Sequence, residues 1–94
     1  MEEERKPLVS IVTPCYNGMP FVESCITSVL GQDYPYIEHV IQDGASTDGS
    51  RELIASYACK SNTIKWVSEP DQGQSDGLNR ALKRSRGDVI LVLN

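Results

Sequence analysis

The sequence predicts an α/β domain, a parallel sheet flanked by helices in the order βαβαβαβ. Three observations carry that expectation. Four short apolar, β-branched runs recur along the 94 residues, separated by stretches whose apolar residues have helical spacing. The first three runs each end in a turn-rich loop: Pro14-Cys15-Tyr16-Asn17-Gly18, Asp43-Gly44-Ala45-Ser46-Thr47-Asp48-Gly49 and Glu69-Pro70-Asp71-Gln72-Gly73. The connections are short, which favours right-handed crossovers between parallel neighbours.

Leu8 to Thr13 is the first strand, stopped by Pro14, which has no N–H to give to a ladder. Phe21, Val22, Cys25, Ile26, Val29 and Leu30 then lie on one stripe of a helix that Pro20 suits at its start and Gly31 ends. Tyr36 to Gln42 is the second strand. The second helix is capped from Ser46, Thr47 or Asp48 and buries Leu53, Ile54, Tyr57 and Ala58. Ile64 to Ser68 forms the third strand. Ser75 caps a third helix with Leu78, Ala81 and Leu82 inward, Arg80, Lys83 and Arg84 outward, and Gly87 at its stop. Val89 to Leu93 is apolar at every position, as a strand covered on both faces should be.

Composition narrows the function classes. Hydrophobic content of 39% and charged content of 23% suit an ordinary globular chain, and a net charge of −4 offers no basic stripe for nucleic acid. The basic run from Arg80 to Arg86 reads as a solvated helix face. Cys15, Cys25 and Cys59 form no CxxC pair, and with one histidine they argue against zinc; buried thiols in a reducing cytosol are expected, so the chain reads as cytoplasmic. Residues 1–7 are charged, without the apolar core of a signal peptide, and read as a flexible leader before a domain over residues 8–94. No apolar stretch approaches the roughly 20 residues of a membrane span.

If the runs are parallel strands, the three loops share the carboxyl rim of one sheet, where open α/β folds bind ligands. The first loop has neither G-x-G-x-x-G nor G-x-x-x-x-G-K-[ST], and no G-x-S-x-G elbow occurs, which excludes the usual dinucleotide, P-loop and hydrolase sites. The rim does offer Tyr16, an aromatic face on which any base can stack, and Asp43, an acceptor that selects a base edge presenting an N–H. Uracil, thymine and guanine present a ring N–H there. A nucleotide held without a phosphate loop needs a metal ion for its diphosphate.

Val9 to Asn17, Val40 to Gly49 and Ser68 to Asn79, in that order and spacing, resemble the family 2 glycosyltransferases. The resemblance implies a Rossmann-like GT-A half-domain and an inverting transfer of sugar from a nucleotide-diphospho-sugar (UDP-, dTDP- or GDP-linked) to an acceptor hydroxyl. It also implies a divalent metal, Mg or Mn, a saccharide or lipid-linked acceptor, and work in cell-wall or polysaccharide biosynthesis. Pro14 and Tyr16 match the family's first nucleotide-contacting turn and Asp43 its base-binding aspartate. Asp71, Gly73 and Asp76 match the third loop and helix start, although Leu78 stands where the commoner family form has arginine. Asn17 borders that pocket. The family's metal motif and catalytic base are expected beyond Asn94, so no residue here is assigned to catalysis or metal, and these residues alone are expected to transfer no sugar. The rival reading is a non-catalytic doubly wound nucleotide-binding or regulatory domain; a third is an interaction module.

Bland roles are expected elsewhere: Asp48 as structural, Asn17 and Asn79 as loop ties, and Trp66 as core. With the strand order three-two-one-four, Val89 to Leu93 is an edge through which the chain is expected to self-associate.

Overall fold

The computed structural model describes residues 6–94, so the leader expected over residues 1–7 lies, except for Lys6 and Pro7, outside the described residues. The elements are β1 (Val9–Cys15), α1 (Phe21–Leu30), β2 (Ile37–Asp43), α2 (Ser50–Lys60), β3 (Ile64–Ser68), α3 (Gln74–Arg84) and β4 (Val89–Val92). All pairings are parallel, in the order β3-β2-β1-β4. This is the expected α/β class and strand order. Register sets Val12 beside Val40 and Cys15 beside Asp43, which brings the first two loops together.

The sheet has helices on both faces. On one, Val22 and Ile26 of α1 and Ile54 of α2 pack on Cys15, Ile41 and Ile64, with Leu53, Tyr57, Ala58 and Trp66 at the margin. On the other, Ala81 of α3 meets Val12 and Val40, flanked by Leu78 and Leu82. Alternation along the strands accounts for this division, because successive side chains point to opposite faces.

Several local expectations are corrected. β1 runs through Pro14 to Cys15. The N–H of Val9 donates to Tyr36 beside β2, so the Pro14 nitrogen faces the β4 side, where pairing ends at Val12 and Leu93. A missing donor costs little there. Phe21 and Leu30 are exposed, and only Val22, Ile26 and Val29 of α1 are buried. Pro20, after a cis Met19–Pro20 bond, is the N-cap of α1. Gly49 and Gly73, both with positive φ, occupy the N-cap positions assigned to the Ser46–Asp48 segment and to Ser75. Ser75 lies inside α3.

The stop of α3 is Ser85, and Gly87 has another task. A Cβ at Gly87 would stand 2.7 Å from the Ser10 nitrogen and 2.8 Å from the Leu8 carbonyl oxygen, so only glycine lets this segment cross β1. Ser10 Oγ donates to Glu38 at 2.6 Å and accepts the Gly87 N–H at 2.8 Å, while Glu38 also accepts the Arg86 N–H at 2.7 Å. That buried polar relay fixes the approach to β4. The four β4 residues are 44–52% exposed, so their apolar run is an uncovered edge. Only Cys15 of the cysteines is buried; Cys25 is half-buried and Cys59 exposed.

Candidate functional site

At the carboxyl rim the three loops enclose a cavity of about 840 Å³, walled by Pro14 and Tyr16 from the first loop, Gly44 and Ala45 from the second, and Pro70, Asp71 and Gly73 from the third. It continues along α1 past Phe21, Ser24 and Cys25, and Asn94 borders it from the β4 side. Tyr16 is 66% exposed and Phe21 76%, so two aromatic rings stand at its edge.

The second loop holds the first in place. Ser46 Oγ accepts the Asn17 N–H (2.8 Å), Ser50 Oγ that of Gly18 (3.0 Å) and Asp48 Oδ2 that of Met19 (3.1 Å). Asn17 Oδ1 accepts the Thr47 N–H at 2.8 Å in return. Asn17 has φ +48°, a left-handed conformation that asparagine tolerates better than most residues. The Ser46-Thr47-Asp48-Gly49-Ser50 segment thus spends its polar groups on the shape of the Tyr16 turn. Hydrogen bonds from the Ser50 hydroxyl, then from backbone N–H groups, hold the Asp48 carboxyl below its usual range.

The third loop is clamped by α3. Arg80 pairs with Glu69 (2.9 Å) and Asp76 (3.2 Å), and Asp76 accepts the Gln72 N–H at 2.9 Å. Glu69 also accepts from Gln42 Nε2 at 2.8 Å, while Arg84 donates to Gln42 Oε1 and to the Ile41 carbonyl, both from Nη2 at 2.9 Å. The outward, solvated reading of Arg80 and Arg84 is corrected: both are half-buried and tie α3 to the sheet rim. Burial lowers the pKa of Arg84, whereas the Arg80 hydrogen bond, followed by that of Gln42, holds Glu69 below the usual carboxylate range.

Among the predicted site residues, Pro14, Tyr16, Asp71 and Gly73 line the cavity, and Asn17, Asp43 and Asp76 do not. Asn17 ties loops together. Asp76 is committed to Gln72 and Arg80. Asp43 is fully buried below the floor: Oδ2 accepts the Ser46 N–H (2.9 Å) and the Ser68 hydroxyl (2.8 Å), and Oδ1 accepts the Ser46 hydroxyl (2.6 Å). Its carboxylate builds the second loop and ties it to β3, the turn-forming role that aspartate plays at strand ends. Asn79, expected to tie loops, is exposed on α3. Sequence reasoning missed the α1 wall, because Phe21 fits the apolar periodicity that marks a core residue.

Two further groups shape the floor. Burial, then the neighbouring Asp43 charge, pushes the Cys15 thiol up to about 11, so it is a neutral packing group and no nucleophile. Asp71 is the single charged side chain among the described residues lining the cavity.

Residues 10–94 match the family model described as Glycosyl transferase family 2. The chain belongs to this family. Among its relatives is TuaG of Bacillus subtilis (strain 168), a glycosyltransferase provisionally assigned to teichuronic acid biosynthesis, 38% identical over 90 residues that cover 95% of this chain and 36% of TuaG. The family 2 chain also superposes on a mannosyltransferase from Pyrobaculum calidifontis in complex with GDP-Man and Mn2+, with TM-score 0.81 and 31% identity over 92% of this chain and 26% of that one. S. aureus TarS 1–349 in complex with UDP-GlcNAc gives TM-score 0.82 and 28% identity with the same coverage. The chain therefore spans about a third of the length of TuaG and a quarter of the two solved chains. Its fold is that of GT-A glycosyltransferases, Rossmann-like and parallel.

Among the described residues no helix is long and apolar enough to cross a membrane. None of their His, Cys, Asp and Glu side chains form a group of three that could hold a metal ion.

Proposed function

We propose that this chain is the donor-binding part of an inverting family 2 glycosyltransferase, one that moves a sugar from a nucleotide diphosphate to an acceptor hydroxyl. The observation that carries the reading is the cavity itself: three strand-end loops meet there, with Tyr16 exposed for stacking and no glycine-rich phosphate cradle. The bound donors of two structural neighbours, GDP-Man and UDP-GlcNAc, support it.

In the transfer the acceptor oxygen forms a bond to the anomeric carbon from the face opposite the diphosphate. The bond from that carbon to the diphosphate oxygen breaks, and a base takes the hydroxyl proton. These residues bind and orient the nucleoside. A divalent cation, Mg or Mn, bound through other residues, would neutralise the departing diphosphate. The Mn2+ in the mannosyltransferase complex supports that cofactor. We infer that the described residues alone transfer no sugar. The acceptor is a saccharide or lipid-linked saccharide of the cell wall or another polysaccharide, the enzyme works on the cytoplasmic side, and the uncovered β4 edge pairs with another segment or copy.

Calorimetric titration of the chain with UDP and GDP, with and without Mn2+, tests the reading. Binding is expected for at least one of them and is weakened about ten-fold by Tyr16→Ala, consistent with the 1–3 kcal/mol of a base–aromatic stack. No binding of either nucleotide at millimolar concentration would refute it.

A further inference from the structure

We propose that Asn17 is a site of spontaneous covalent modification, conversion to aspartate or isoaspartate, and that the second loop holds it in check. The inference is independent of any ligand. Of the asparagines in the sequence, Asn17 alone precedes a glycine, and it is exposed. Gly18 has no side chain to shield its backbone nitrogen or narrow its approach. That nitrogen attacks the side-chain carbonyl carbon of Asn17. A C–N bond forms, the bond to the side-chain amide nitrogen breaks, and the Gly18 proton leaves with that nitrogen as ammonia. Water then opens the five-membered imide. Opening at the side-chain carbonyl gives aspartate, and opening at the main-chain carbonyl gives isoaspartate. The net change is ammonia exchanged for water, with no oxidant or reductant.

Both halves of the reactive pair are dictated by the turn. Asn17 stands at φ +48°, and its Oδ1 accepts the Thr47 N–H at 2.8 Å. A Cβ at position 18 would lie 3.0 Å from Cys15 Sγ and 3.6 Å from Val22 Cβ, so the packing beneath the turn favours glycine. The fold thus calls for a labile dipeptide, and the same loop contacts restrain it. Ser46 Oγ accepts the Asn17 N–H at 2.8 Å and Ser50 Oγ the Gly18 N–H at 3.0 Å. Ring closure swings the Asn17 side chain and the Gly18 nitrogen toward each other, and these three anchors oppose that swing. The reaction therefore runs through the locally open loop, and its rate follows the open population.

The product keeps the loop open. Isoaspartate carries the main chain through one extra carbon and adds a negative charge beside Asp48, whose Oδ2 holds the Met19 N–H. The lengthened chain no longer meets Ser46, Thr47 and Ser50 together, so modification unlatches the turn that carries Tyr16.

The test is incubation at mildly alkaline pH, with peptide mapping by mass spectrometry to count conversion at each asparagine. Asn62, exposed but followed by Thr63, is the internal control. In urea, Asn17 is expected to convert many-fold faster than Asn62. In the native chain Asn17 should convert many-fold more slowly than in urea. Ser50→Ala, checked for native circular dichroism, should speed native conversion about ten-fold, as expected from losing one buried hydrogen bond. Asp48→Ala, at an exposed position, should speed it several-fold and serves where Ser50→Ala does not fold. In the converted fraction, amide exchange at Thr47 and Gly18 should be faster. No conversion at Asn17 in urea overturns the site. Equal native and urea rates, unchanged rates in the folded variants, or unchanged amide exchange in the product overturn the restraint by the second loop.

Discussion

His39 makes the fold acid-sensitive in a way that can be measured. It lies on β2, fully buried on the face covered by α1 and α2, and its Nε2 is 2.9 Å from Thr13 Oγ1. Nδ1 has no partner among the described residues, so nothing stabilises a second ring proton. Burial lowers the pKa from 6.5 to about 4. The folded chain therefore holds a neutral ring, while the unfolded chain takes up a proton as pH falls below 6.5. The sign follows from linkage: stability is fully present above about pH 6.5 and is lost as pH falls toward 4. At 1.36 kcal/mol per unit, the whole depression is worth about 3 kcal/mol, and the part between pH 7 and pH 5 about 2 kcal/mol.

Urea unfolding followed by Trp66 fluorescence at pH 7 and pH 5 reads this out, with His39→Gln as the non-titrating reference. Carboxylates titrate in both proteins and cancel in the difference. Wild type should lose about 2 kcal/mol more than His39→Gln over that interval. Equal losses, or an imidazole that titrates near 6.5 by NMR, would refute the reasoning.

Ser50→Ala removes the acceptor for the Gly18 N–H and a donor to Asp48, at a position with no exposure. It should cost about 1–3 kcal/mol, the penalty for an unpaired buried group, and speed amide exchange at Gly18 and Met19 more than in β2. Gly87→Ala drives a methyl group into the backbone of β1 at Leu8 and Ser10. It should destabilise the chain by at least about 2 kcal/mol in urea, with exchange protection lost first in β4.

The architecture was legible because periodicity reports which side chains face a core. The four strands and three helices follow the apolar pattern, and Val12, Val40, Ile26 and Ile54 are buried as that pattern requires. Local polar geometry was much less legible. Ser46 and Asp48 have the chemistry of helix caps, and Asp48 Oδ1 does accept the Ser50 N–H, yet Ser46 Oγ and Asp48 Oδ2 go to backbone donors some thirty residues earlier in the chain, a long-range choice invisible in a window of sequence. The same limit hid the partners of Asp43. Its position at a strand end was evident, but the hydroxyl that takes up part of its carboxylate belongs to Ser68, 25 residues further along the chain.

The cavity's chemistry also limits what these residues can do by themselves. Among the described residues no lysine or arginine lines it, and the one charged side chain there, Asp71, is negative. Stacking on Tyr16 is worth about 1–3 kcal/mol. A hydrogen bond to the Asp71 carboxylate adds about 1.5–3 kcal/mol. Their sum, about 2.5–6 kcal/mol, corresponds to dissociation constants from about 15 mM to several tens of micromolar before any ordering cost is subtracted. On the proposed function, a divalent cation at the diphosphate would supply further affinity. Removing the metal should cost affinity about equally for UDP and CDP, whereas Tyr16→Ala should weaken both by about the same factor with or without it. The two losses are separable in a single set of titrations.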